Sequence, residues 1–450
     1  MRLLCAEAAM LALVRRSILI AVMLLAGAAL VFLTGLLARQ LGASRFGQAL
    51  AALATLIAPQ FLGVNSLLTM DSFDILFWGI AIYVLILIFK YDNPKAWLWF
   101  GLITGIGLTN KVSPLYFGLA VVIGLALTPH RRYFRSGWLY AGGAIALAFL
   151  LPYAIWNAAN GWPTAEFFAA YGNKVYQASP LEFIAQQILI MHPFTLPIWA
   201  MGLVYLFSKK GEMYRPLGWC YVVLLLIFML QHAKNYFLAP MYPVLFAAGA
   251  VLFEQWVQSS QRLWLKSTYV GFLVVGGIIL APAAIAVLPL EAHTAYLRVM
   301  SGTNARSEKF DTGSFPQHFA DRFGWEEMAA TVAKVYRELP SEDQAQACIF
   351  AGNYGEAGAL EFYGPRYGLP PVISGHNNYY LWGPNDCSGE TMIVLGGSLA
   401  DLRQAFQDVQ QVSQTRCDYC MPYENNLPIY VVHDLKTPLE QLWPIVKTFQ

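Results

Sequence analysis

The chain has 450 residues, of which 57% are hydrophobic and only 12% charged, and its net charge is +2 with a positive mean hydropathy. A soluble globular chain carries about 25% charged residues, so an ordinary soluble protein is excluded, and the near-neutral balance offers no basic footprint for a nucleic-acid partner. Apolar stretches long enough to cross a bilayer fill residues 17–288, and in hydrocarbon they must be helical because no water satisfies their backbone N–H and C=O groups.

In chain order the spans are read near 17–37, 47–68, 73–89, 96–109, 112–128, 137–157, 183–207, 217–231, 236–253 and 268–289, about ten in all. Those near 96–109 and 217–231 fall short of the roughly 20 residues of a full crossing, which marks them as tilted, half-buried or re-entrant. Pro59, Pro114, Pro193, Pro197, Pro240 and Pro243 interrupt or border spans, which points to a cavity rather than a tight bundle.

Alternate connections fall into two groups. One carries Arg39 and Arg45, Lys90 and Lys95, Arg131, Arg132 and Arg135, Lys209, Lys210 and Arg215, and Arg262 and Lys266. The other carries Asp71, Lys111, Glu166, Lys174, Glu182 and Lys234, without a positive excess. The positive-inside rule makes the first group cytoplasmic, and parity then puts both the start of the chain and its C-terminal domain outside. Arg15 and Arg16 fit that start badly. The first apolar run continues past Ala26–Ala28 to Leu37, too long for a cleavable secretory signal.

The outer connection 157–181 is aromatic, with Trp162, Phe167, Phe168, Tyr171 and Tyr176; it reads as an interfacial belt or as a flap over an outward site. From about Glu291 a helix over 325–339, strands over 346–351 and 391–396, a helix over 399–411 and a strand over 428–433 spell an α/β pattern. The fold class expected is therefore a polytopic α-helical membrane protein, residues 1–289, with a soluble extracytoplasmic α/β domain, residues 290–450. Cys417 and Cys420 have C-x-x-C spacing without the rest of a zinc pattern, so a structural disulfide among Cys387, Cys417 and Cys420 is expected in an oxidising compartment.

Ionisable residues at the ends of membrane helices are costly and hence functional candidates. Asp71 in NSLLTMDSFD, followed one turn on by Asp74, reads either as an N-cap for a span beginning at Phe73 or as a ligand or base. Lys111 in GLTNKVSP reads as a snorkelling anchor or a phosphate grip, and His232 and Lys234 in QHAKNYF as a solvated turn or part of the same grip. Taken together they converge on one face at headgroup depth. A lysine and a histidine suit a phosphate leaving group, and an aspartate suits a divalent cation or deprotonation of an acceptor.

The runs TGLLARQLGASRFGQALAALATLIAP, LLTMDSFDILFW, GIGLTNK, LLPYAIWNAANGWPTAEFF and HAKNYFLAPMYPVLFAAGAV, and EFYGPRYGLPPVISGHNNYYLWGP near the C-terminus, resemble bacterial glycosyltransferase family 39. These are kin to protein O-mannosyltransferases and the lipid A aminoarabinose transferase. The resemblance implies a glycosyltransferase C fold, a polyprenyl-phosphate sugar donor and inverting transfer at the extracytoplasmic face of the bacterial inner membrane. It makes Asp71 a catalytic residue and candidate metal ligand (Mg or Mn), and assigns Lys111, with His232, Lys234 and Tyr236, to the donor phosphate. Family members begin with a further helix and a first outer loop carrying the acidic residue expected to be the base or metal ligand. Here the chain starts at MRLLCAEAAMLALVRR, and Glu7 has no matching context, so a missing N-terminal helix and loop are expected.

Three functions compete. The first is transfer of a hexosyl or pentosyl group from the lipid-linked donor to a lipid, glycan or protein acceptor. The others are a transporter or flippase of a lipid-linked substrate, and a non-catalytic binding protein left by truncation. No inverted repeat and no charge deep inside a span supports the transporter.

Overall fold

The computed structural model describes residues 2–300, 309, 313 and 315–449, with side chains from Leu19 onward apart from 173 and 174. Glu7, Arg15 and Arg16 therefore lie outside the described side chains, and Lys174 with them.

The described chain forms two units, residues 1–155 with 175–307, and residues 156–174 with 308–450. In the first, α1 (Arg2–Gln40), α2 (Arg45–Ile57), α3 (Pro59–Val64), α4 (Met70–Tyr91), α5 (Trp97–Asn110), α6 (Pro114–Ala126) and α7 (Gly137–Ala159) come first, the last four residues of α7 being counted with the second unit. The helix α8 (Pro163–Lys174) belongs to the second unit. The first unit then continues through α9 (Pro180–Ile190), α10 (Leu196–Phe207), α11 (Arg215–Leu230), α12 (Tyr242–Ser259), α13 (Trp264–Ala284) and α14 (Leu290–Met300).

Among the described residues six helical segments are long and apolar enough to cross a membrane: Leu19–Gln40, Met70–Tyr91, Gly137–Ala159, Glu212–Leu230, Asn235–Ser259 and Trp264–Ala284. The span expected over 47–68 is broken between α2 and α3, because Pro59 lacks the N–H that would continue the ladder and Ala58 is extended. The span expected over 183–207 is a pair of helices, Pro180–Ile190 and Pro193–Phe207, bent by 95°. His192, at φ 75°, turns the chain ahead of Pro193.

Helix pairs in this unit meet through glycine, as membrane helices do when no hydrophobic force drives them together. A Cβ on Gly249 of α12 would lie 1.8 Å from the Ile198 carbonyl of α10, and one on Gly202 would lie 2.0 Å from the Leu245 carbonyl. Ala247, Ala248 and Ala250 of α12 are fully buried as well.

The second unit holds α15 (Gln317–Ala320), α16 (Trp325–Glu338), α17 (Ser341–Gln346), α18 (Tyr354–Tyr363), α19 (Asn378–Trp382), α20 (Leu399–Ala405) and α21 (Leu439–Leu442). With them is a five-stranded sheet of order β2-β1-β3-β5-β4. Its strands are β1 (Ala347–Phe350), β2 (Val372–Ile373), β3 (Thr391–Leu395), β4 (Phe406–Gln414) and β5 (Pro428–Leu435). The strand β1 runs parallel to β2 and β3, and β5 runs antiparallel to β3 and β4.

Alternation puts Ile349, Ile393, Leu395, Ile429 and Val431 on the face covered by α16 and α18, and Cys348, Met392, Val394, Tyr430 and Val432 on the other. The helix expected over 399–411 stops at Ala405. Residues 406–414 (FQDVQQVSQ) form β4, an edge strand whose one paired side is enough to hold a largely exposed polar stretch. Cys387 is disulfide-bonded, but to Cys348 of β1, and Cys417 and Cys420 are thiols. The expected grouping among Cys387, Cys417 and Cys420 is thus replaced by a bridge that ties the loop after α19 to a central strand.

Candidate functional site

Three connections meet at one end of α4. The helix begins at Met70, so Asp71 lies inside its first turn rather than capping a span from Phe73, and the N-cap is Thr69. There its carboxylate faces the positive end of the helix dipole. The α5–α6 connection is stitched to this end at three points. The Asn110 amide donates to the Met70 carbonyl (2.8 Å), Lys111 forms an ion pair with Asp71, and the Ser113 hydroxyl donates to the buried Asp74 carboxylate (2.5 Å). The Trp78 indole N–H donates in turn to Ser113 (3.2 Å).

The third connection, 231–241, passes over the lysine. The Lys111 ammonium lies 5.0 Å from the centre of the Phe237 ring and 5.7 Å from that of Tyr236. A cation within about 6 Å of an aromatic face is attracted by the ring quadrupole. Both members of the ion pair keep solvent contact, with side-chain exposures of 16% for Lys111 and 22% for Asp71. The lysine is thus held but reachable.

Of the residues singled out from sequence, Asp71, Lys111 and Tyr236 are brought together. Lys234 is half-buried on the same connection as Tyr236, and His232 is exposed in its turn at φ 48°, with no hydrogen bond or ion pair to Asp71 or Lys111. Phe237, Asn110 and Ser113 were not foreseen. Asp74 was noticed only as Asp71's neighbour one turn on, and that spacing of three was the available signal.

A second group went unread, the buried amides of Gln186, Gln187 and Asn235. Asn235 donates to the Gln186 side chain (2.9 Å), and Gln187 donates to the Asn235 carbonyl (2.8 Å). The Tyr242 hydroxyl donates to Gln187 (3.2 Å) and lies 3.3 Å from that of Tyr221. Among the described residues no three His, Cys, Asp or Glu side chains stand close enough together to hold a metal ion.

The opposite end of α4 is reached through Lys90, which donates to the Gln40 carbonyl (2.8 Å) at the end of α1. Here Asp92 takes Arg132 and Tyr133, and Glu254 takes Ser44 and Lys266. The connections rich in Arg and Lys therefore gather at one end of the first unit, and Asp71 and Lys111 at the other.

Residues 8–156 match the family model described as dolichyl-phosphate-mannose-protein mannosyltransferase. No curated protein sequence matches the chain. Among solved structures the chain is similar to the crystal structure of ArnT from Cupriavidus metallidurans in the apo state. That likeness has a TM-score of 0.51 at 12% sequence identity and covers 92% of this chain and 83% of that one. At that identity it is a likeness of fold. The family model bears out the resemblance read from the sequence motifs over the residues it matches, and the structural likeness agrees with the fold that resemblance implies.

Proposed function

We propose that the protein is an inverting glycosyltransferase of the bacterial inner membrane that moves a sugar from a polyprenyl-phosphate carrier to an acceptor hydroxyl on the extracytoplasmic side. The observation that carries this reading is the placement of Lys111. It is a reachable ammonium at the end of the membrane helices, paired with the Asp71 carboxylate and roofed by two aromatic rings. A phosphate diester headgroup with an isoprenoid tail fits such a place, since its charge meets the lysine while its chain stays among apolar helices.

In the proposed step the acceptor oxygen forms a bond to the anomeric carbon as the bond from that carbon to the phosphate oxygen breaks. The bonding electron pair leaves with the phosphate, and the Lys111 ammonium stabilises the charge that develops there. The acceptor proton passes to a carboxylate. Asp71 is positioned to take it once Lys111 has turned from Asp71 toward the phosphate. A single displacement inverts the anomeric configuration. Lys234, His232 and the Tyr236 hydroxyl extend the polar rim on which the donor phosphate is drawn in. A divalent cation carried in with the donor would use Asp71 and phosphate oxygens as ligands, and transfer that survives excess chelator removes it from the mechanism.

The test is transfer from a labelled polyprenyl-phosphate sugar by purified protein in lipid. Replacing Lys111 by Ala is expected to lower kcat/KM by about 100-fold or more while the protein remains folded, in line with loss of a charge-stabilising donor. Unchanged transfer by the Lys111→Ala variant removes the lysine from the site.

A further inference from the structure

Two adjacent buried glutamines in a helix that is otherwise apolar beyond its first turn require an explanation. Gln186 and Gln187 lie in LEFIAQQILI of α9 and are 5% and 1% exposed. Buried amides are tolerated only when hydrogen-bonded, and in a membrane-spanning body they are costlier still. Both are spent on one residue, Asn235. Gln186 accepts from its side chain, and Gln187 donates to its main-chain carbonyl. Tyr242 closes the far side by donating to Gln187.

Asn235 opens the 3-10 turn Asn235–Met241, and the next two residues are Tyr236 and Phe237, the rings over Lys111. A clamp on both the side chain and the carbonyl of Asn235 fixes where the turn begins and therefore where the rings stand. Phe237 is also packed edge-on against Phe228 (5.9 Å) and against Tyr236 (5.2 Å), so a shift of the turn moves the pair together.

We propose that Gln186, Gln187 and Asn235 are positioning residues that set the aromatic roof over Lys111, and through it the lysine's grip on a phosphate-linked lipid. The proposal rests on the reading of Lys111 as the phosphate-binding residue and deepens it. Asp71 and the α5–α6 connection hold the lysine from below, and the clamp holds it from above. When a phosphate draws Lys111 away from Asp71, the roof becomes its fixed reference.

Gln187→Met keeps the volume and removes the donor to the Asn235 carbonyl. The readout is the Kd for polyprenyl phosphate, measured on full-length protein in lipid, together with kcat and KM for transfer. In the wild-type background the substitution is expected to weaken phosphate-lipid binding by about tenfold and to raise KM more than it lowers kcat. In a Lys111→Ala background the same substitution is expected to change binding by less than about twofold, because a residue acting through another has nothing left to position. Tyr242→Phe removes one hydroxyl at the edge of the clamp. It is expected to weaken binding by about two- to threefold, which keeps the test available if Gln187→Met does not fold.

Equal losses in both backgrounds would mark a structural defect and overturn the positioning role, as would unchanged binding by a folded Gln187→Met protein. Wild-type protein that neither binds polyprenyl phosphate nor transfers from it overturns the function itself rather than the clamp.

Discussion

Two acid–lysine pairs stand at opposite ends of the first unit, and their surroundings differ. Glu254 accepts from the Ser44 N–H (3.1 Å) and from the Ser44 hydroxyl, has Lys266 at 3.7 Å, and is packed against Gly47, where a Cβ would come within 2.9 Å of its carboxylate. Its side chain is 6% exposed. The Gln258 amide also donates to it (3.5 Å), so both oxygens are engaged, and the lysine is the most distant of these partners. Asp71 accepts from Lys111 alone among the described residues, keeps open lone pairs and is reached by solvent. The chemistry is the same, but one acid staples the α1–α2 turn to α12, while the other stands where a ligand can compete for its lysine.

Replacement of the two acids breaks the comparison most directly. Asp71→Asn is expected to cut transfer by about 100-fold while changing stability by less than about 0.5 kcal/mol, as befits a partly exposed pair. Glu254→Ala is expected to do the reverse. It removes the acceptor of two part-buried hydrogen bonds from Ser44 and costs about 1–3 kcal/mol of stability, with kcat/KM of the surviving folded fraction within about twofold of wild type. Thermal unfolding and single-turnover transfer on the same preparations separate the two. A large activity loss in folded Glu254→Ala protein would merge the roles.

A third acid group, in the second unit, sharpens the contrast because among the described residues no lysine pairs with it. Glu356 accepts from the Gly352 N–H (2.7 Å) and the Asn353 amide (2.8 Å), and the same amide reaches Glu424 (3.2 Å). Burial, then the neighbouring Glu424 charge, pushes the Glu356 carboxyl up to about 8, and burial, with Asp321 nearby, pushes Glu424 up to about 7.

Both values are raised above the unfolded carboxyl value of 4.5. The folded state therefore binds the extra protons, and the stabilisation is complete below about pH 4.5 and lost as pH rises through 7 and 8. Hydrogen exchange in the full-length protein, corrected for the intrinsic pH dependence, is expected to show protection around residues 352–360 falling between pH 5.5 and 8.5. Glu356→Gln is expected to flatten that slope. An unchanged slope in the variant places the titration elsewhere.

The smallest effect is expected from Lys266→Ala. Its ammonium stands 3.7 Å from Glu254 and 4.6 Å from the centre of the Phe46 ring, at 23% side-chain exposure. The loss is expected within about 1 kcal/mol in a melt. A larger loss would show that the lysine, rather than the Ser44 hydrogen bonds, is the main support of the Glu254 carboxylate.

Much of the helical body was legible because hydrocarbon leaves the backbone no alternative, so apolar length alone announced α1, α4, α7, α12 and α13. What length could not announce was interruption, which Pro59 and Pro193 marked in the sequence without saying how far the chain turns there. The break at Ala58–Pro59 and the 95° bend around His192 and Pro193 depend on neighbours that accept the freed backbone groups, and neighbours are a tertiary matter. In the second unit β1, β3 and β5 were legible from continuous β-branched and apolar runs, whereas β4 was read as helix because an edge strand of Gln, Asp and Ser carries no such run. The Cys348–Cys387 bridge was missed because 39 residues of separation hide a contact that the sheet makes.

At the candidate site the sequence by itself determined the actors: an aspartate and a lysine at the ends of apolar spans, where a charge is too costly to keep without use. Folding alone decided that Lys111 pairs with Asp71 across 40 residues and sits beneath Tyr236 and Phe237. Folding also decided that Gln186 and Gln187 meet Asn235 across 49 and 48 residues. Residue type reports the cost of burial, a property of one side chain in one solvent. Which partner offsets that cost depends on how the helices pack and is written in no single segment.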